Sequence, residues 1–167
     1  EYSLDEGLSW TSYTTAITLN AGQVACIRGN RTNYRNAGTD AWETPAGKPI
    51  FEASKLCYIS GNIMTLLKDE VNISESAFQG AFSKGGTAIT YIDIDPDAPL
   101  LLPATTLAPK CYMQMFRNCT SLKRAPVFRV EVPAYRCCYN MLRLCSNLTD
   151  ASTIELPATT LAEDCYR

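Results

Sequence analysis

The sequence predicts an α+β chain. A small β-sandwich-like domain spans residues 1–70, and a short solenoid of strand–helix coils, about 26–28 residues each, spans 71–167. Three observations predict this. One phrase is written twice, as LPATTLAPKCY (102–112) and LPATTLAEDCY (156–166). The step from Cys111 to Cys119 recurs from Cys137 to Cys145. The first 70 residues have another texture, in which short two-residue alternation is broken by loop residues. Repetition at a fixed period in the upper twenties marks coils that stack because none can bury its apolar face alone.

In the first part, Tyr2 and Leu4 alternate with polar neighbours. Ile17 and Leu19 alternate, Asn20-Ala21-Gly22 turns the chain, and Val24 and Cys26 alternate again, which predicts a hairpin. Residues 30–49 carry Gly, Asn, Pro and Thr without a period and read as a long loop. The segment 50–59 is strand-like, Gly61-Asn62 reads as a turn, and 63–67 is an apolar run that fits either element. In Asp93-Ile94-Asp95 a strand is expected, with Ile92 and Ile94 inward and the two acids outward. The calcium-loop reading fails, because Ala98 and Ala104 stand where the loop needs Gly and Glu.

In the second part, CYMQMFRNCTSLKRAP (111–126) aligns with CCYNMLRLCSNLTDAS (137–152), and Ala77 to Phe82 is a worn earlier copy. Leu107, Cys111 and Met115 stand four apart, as do Ala108, Tyr112 and Phe116, so each coil is expected to carry an apolar stripe on a helix. Thr105 or Thr106 would cap that helix, Pro109 would sit in its first turn, and Asn118 would stop it in a left-handed conformation. The residues before Pro103, Pro133 and Pro157 would form parallel strands. Stacking then places Cys111, Cys137 and Cys165 in one column and Cys119 and Cys145 in another. Buried free thiols are the simplest reading of these columns. Cross-coil disulfides and a zinc site remain as alternatives, the latter without a C-x-x-C pair or a His to complete it.

LPATTLAxxCYxxMFxxCTSLxxAP resembles the repeat of the BspA-like leucine-rich repeat surface proteins of Bacteroidales bacteria. The match covers roughly residues 75–167, and EYSLDEGLSW, LNAGQVACIRGN and SGNIMTLL are similar to segments that precede such repeats. The resemblance implies a leucine-rich-repeat solenoid behind a small β domain, an extracellular or outer-membrane address, and a binding or adhesive role. It supplies no catalytic residues. The second copy of the phrase also stops where the first continues as MQMFRNCTSL, so the repeats are expected to be incomplete at the C-terminus.

Composition bounds the function. There is no His in 167 residues, which removes the commonest general base and metal ligand and any Cys–His or Ser–His pair. A carboxylate-dependent hydrolase stays formally open, but no two acids stand out as a pair, so the chain is read as a non-enzyme with no metal and no cofactor. Seven Lys or Arg against one acid between Lys110 and Thr149 read as a solvated face, and no basic run supports nucleic-acid binding. No apolar run is long enough to span a membrane. Trp10, Tyr13, Tyr34 and Trp42 are the candidate ligand-binding residues, as an aromatic platform for a sugar. The expected partners are a protein or glycan on a host or neighbouring cell, with a structural accessory subunit of a larger surface assembly as the alternative.

Overall fold

The computed structural model describes residues 1–12, 17–31, 51, 53–83 and 91–167. Strand β1 (Tyr2–Ser3) pairs antiparallel with β2 (Cys26–Ile27), Tyr2 opposite Ile27. Strand β3 (Cys57–Ile59) is followed at once by β4 (Gly61–Asn62) and a 3₁₀ helix (Ile63–Leu66). The Asn62 side chain caps this helix by accepting from the Met64 N–H at 2.9 Å. Then come β5 (Ile92–Ile94), β6 (Leu100–Leu102), β7 (Val127–Arg129) and β8 (Ile154–Glu155). Strands β3 and β5 pair in parallel, Cys57 opposite Ile92. Strands β4, β6, β7 and β8 form a four-stranded parallel sheet, with Leu101 opposite Val127 and Phe128 opposite Ile154.

Three expectations fall here. No β-sandwich is present among the described residues: the turn at 20–23 forms, with the Gln23 N–H on the Asn20 carbonyl at 3.1 Å, but Cys26 then pairs with Ser3 instead of a strand at 17–19. Nor is the second part a strand–helix solenoid. Among the described residues the 3₁₀ helix is the only helix, and Gly61-Asn62, expected as a turn, is strand. Strands on either side of residue 70 share sheets, β3 with β5 and β4 with β6.

The expected helices are runs of turns, over 75–82, 109–118, 135–144 and 163–166. Within 109–118 the N–H groups alternate between two fates. Those of Cys111, Met113, Met115 and Arg117 close turns onto Ala108, Lys110, Tyr112 and Gln114, three residues back, at 3.1–3.3 Å. Those of Lys110, Tyr112, Gln114, Phe116 and Asn118 bond the carbonyls of Tyr135, Cys137, Tyr139, Met141 and Arg143 in the next tier at 2.8–3.0 Å. An α-helix sends its interior N–H groups four residues back and leaves none for a neighbour. This ribbon gives half of them away and is thereby tied to its neighbour along its whole length. The same pattern runs from Phe78 to Cys111 and from Cys138 to Cys165.

The geometry needs a left-handed residue every fourth position. Lys110, Gln114 and Asn118 have φ of 57°, 55° and 65°, and Ser76, Gly80, Arg136, Asn140, Leu144 and Asp164 repeat the pattern. None of these is β-branched, the class least able to adopt positive φ. Asn118 is left-handed as expected, although it ends a ribbon and not a helix.

Stacking places like on like. The Phe82 and Phe116 rings lie 5.0 Å apart and 8° from parallel, and Phe51 covers Phe82 from the other side at 5.2 Å. Phe78 and Tyr112 stack at 6.3 Å. Met64, Ile92, Ile94, Leu102, Met115, Leu122 and Val130 are also fully buried.

Candidate functional site

Alternation along the strands sorts their side chains. The inward row of the parallel sheet contains Leu102 and Phe128, both buried, and half-buried Ile154. The outward rows carry exposed Asn62 and Leu101, half-buried Val127, and exposed Arg129 opposite Glu155. Arg129 is held between two carboxylates. Its Nε donates to Glu131 Oε1 at 2.9 Å and its Nη1 donates to Glu155 Oε2. These hydrogen bonds, that to Glu131 first, raise the guanidinium above its ordinary range. Pairs this exposed add little to stability, so their main effect is to fix where the charges stand. The sheet therefore presents an apolar strip, Leu101 and Val127, beside an ordered acid–base–acid triad.

The sequence placed its candidate binding residues elsewhere. Trp10 is half-buried, and the Arg28 guanidinium lies 4.0 Å above its ring while also pairing with Glu1 at 2.7 Å. The chain's own cation therefore lies over one face of that ring. Tyr13, Tyr34 and Trp42 lie outside the described residues.

All five repeat cysteines are buried and unbridged. The Cys111 thiol aims at the Cys137 carbonyl (3.9 Å) and the Cys137 thiol at the Cys165 carbonyl (3.6 Å). Cys119 and Cys145 point the other way, to the carbonyls of Phe82 (3.3 Å) and Phe116 (3.1 Å). Burial pushes the Cys111 thiol up, and the Cys145 thiol up to about 12. Cys138, which the repeat alignment did not single out, is also buried. The two neighbouring thiols act on each other, Cys138 holding Cys137 down and Cys137, with burial, holding Cys138 up.

Asp93 corrects a further expectation. It is only 1 % exposed, not outward, and its Oδ1 accepts from the Ile94 N–H (2.8 Å) and, across the tier, from the Lys123 N–H (2.9 Å). The carboxylate is a backbone clamp. Its short polar side chain between two isoleucines gave no sign of this, because the acceptor role depends on Lys123 arriving from the next tier. Asp69, on an open groove of about 600 Å³ lined by Leu67, Asp69 and Ile73, is likewise used by its own turn, through the Val71 and Asn72 N–H groups.

Among the described residues no three His, Cys, Asp or Glu side chains are grouped to hold a metal ion, and no helix is long and apolar enough to cross a membrane. No family model, no curated protein and no solved structure matches the chain.

Proposed function

We propose that the chain is a non-catalytic binding or adhesion module that recognises a protein or glycan through the outward face of its parallel sheet. The observation that carries this reading is the composition of that face. Leu101 and Val127 form an apolar strip, and Arg129, Glu131 and Glu155 are ordered beside it without serving the core. Apolar contact flanked by fixed charges suits recognition of a surface, where the strip supplies area and the charges supply register. The resemblance to exported repeat proteins adds an extracellular or outer-membrane address to the proposal. The test is a screen against glycans and cell-surface proteins with wild type, Leu101→Glu and Arg129→Ala. Binding that both variants weaken while their thermal transitions stay near wild type supports the reading. A ligand bound equally well by all three removes the sheet face from it.

A structural accessory subunit is the second reading. Purification from native membranes in mild detergent separates the two, since a subunit travels with its complex.

A further inference from the structure

We propose that the outer face of the turn ribbons binds an acidic polysaccharide, held through its sulfate or carboxylate groups by Arg117 and Arg143, with Lys110 and Arg136 beside them. Side chains leave each ribbon two by two. Cys111, Tyr112, Met115 and Phe116 enter the core, as do Cys137, Cys138 and Met141. Met113 and Tyr139 are buried but stand outside that core, and so mark the opposite, outer face. The four-residue turn period puts Arg117 in the row of Met113 and Arg143 in the row of Tyr139. The Arg136 guanidinium lies over the Tyr139 ring at 5.4 Å and shares its face.

Cross-tier bonds bring the cations together. The Asn118 N–H bonds the Arg143 carbonyl at 3.0 Å and the Lys110 N–H bonds the Tyr135 carbonyl at 3.0 Å, so Arg117 stands beside Arg143 and Lys110 beside Arg136. Residues 109–118 and 135–144 hold these four cations and no acid. The segments 119–122 and 145–149 that follow them hold no acid either. Asp164 reaches Arg136 from the next tier at 3.2 Å. Arg143 is exposed and has no ion pair among the described residues. Like charges set opposite each other on hydrogen-bonded chains repel, and an anion spanning both tiers offsets that repulsion.

Other cations of 110–149 stand apart from this face. Arg129 lies between Glu131 and Glu155, Arg124 is opposite Asp150, and the Lys123 N–H is held by Asp93. The ribbon face is thus a local positive patch on a chain of net charge −2. Four cations over two tiers make no extended track along which a nucleic-acid backbone would lie. They do suit single oxyanions, because a guanidinium fork matches sulfate and carboxylate oxygens in pairs. Half-buried Asn140, between Arg136 and Arg143 in the same ribbon, offers an amide to the hydroxyls beside such a group. None of these residues belongs to the outward sheet face, so this inference and the sheet-face reading stand or fall separately.

The full chain is titrated by calorimetry with a short heparin oligosaccharide, with its unsulfated uronate counterpart, and with single-stranded DNA of matched length. The proposal expects a glycan probe to bind, and whichever of the two binds names the anionic group. Arg143→Glu should weaken that binding about tenfold or more, because a like charge set against the ligand repels it. Arg143→Ala should weaken it less. Both variants should melt near wild type, since this side chain is exposed. Lys123→Glu reverses a charge beyond the ribbon and should leave binding nearly unchanged. No binding of either glycan, DNA bound as tightly as the glycan, or an equal loss in Lys123→Glu overturns the proposal.

Discussion

The Cys145 thiol reaches back to the carbonyl oxygen of Phe116, 3.1 Å away in the preceding tier. The contact uses the thiol as a neutral donor inside an apolar stack, and both features oppose ionisation. Burial is the first cause of the shift to about 12 at Cys145, and also the first cause of the rise at Cys111 and Tyr112.

An alkaline limit follows. These groups are acids whose folded-state affinity for the proton is raised. The unfolded chain releases its thiol protons near 9.0, while folded Cys145 keeps its own to about 12. Between those values the native state binds more protons, so stability falls as pH rises. It is fully present below pH 9 and is lost from there upward. Thermal midpoints measured from pH 7 to 11 should hold and then drop beyond pH 9, less steeply in Cys145→Ser. A flat profile would contradict the burial of these thiols.

Leu144 is the misfit of the left-handed series. It holds φ at 63° with a branched side chain that is 57 % exposed. The left-handed conformation costs a residue with a Cβ roughly 1–2 kcal/mol, and little buried area is lost on removing this side chain. Leu144→Gly should therefore stabilise the protein by about 1 kcal/mol, seen as a higher denaturant midpoint. Gly already occupies the equivalent kind of position at Gly80, with φ of 67°. A lower midpoint would mean that the left-handed assignment at 144 is wrong.

The parallel strands were legible, though the fold class was not, because spacing survives a change of element. The parallel pairing of the segments near Pro103 and Pro133 and the contact of Cys111 with Cys137 follow from the 26-residue step. The helix did not survive. Rows at Leu107, Cys111, Met115 and Cys119 are four apart without correction. On an α-helix such a row drifts by about 40° at each step, whereas a ribbon with a four-residue turn period keeps it in line. That uncorrected spacing was the available signal. The outward sheet face was not legible, because it depends on which of Leu101 and Leu102 faces the core, and neither residue type says so. Asp93 was hidden for a similar reason, since its partner Lys123 is thirty residues away.

Phe116 is fully buried between Phe82 and the third tier, and its ring stacks on Phe82 at 5.0 Å. Phe116→Ala should cost about 3–5 kcal/mol, and Phe82→Ala less than an independent full loss when made in the same chain, since the two share one contact. Denaturant titration of both singles and the double tests this. Simple additivity would show that the rings do not interact.

Residues 71–167 should not fold alone. Strands β5 and β6 lose their partners β3 and β4, and Phe82 loses the covering ring of Phe51. The isolated segment should aggregate or melt without a sharp transition. A soluble fragment with a cooperative transition would contradict the shared sheets.

The central claim is that the repeat is held by turn ribbons whose alternate N–H groups bond the next tier, and not by helices. Backbone chemical shifts of the full chain test it most directly. They should report positive φ at Lys110, Gln114, Asn118, Arg136 and Asn140, with cross-tier contacts from the Tyr112 amide to Cys137 and from the Gln114 amide to Tyr139. An unbroken run of helical shifts from Thr105 to Asn118 would contradict it.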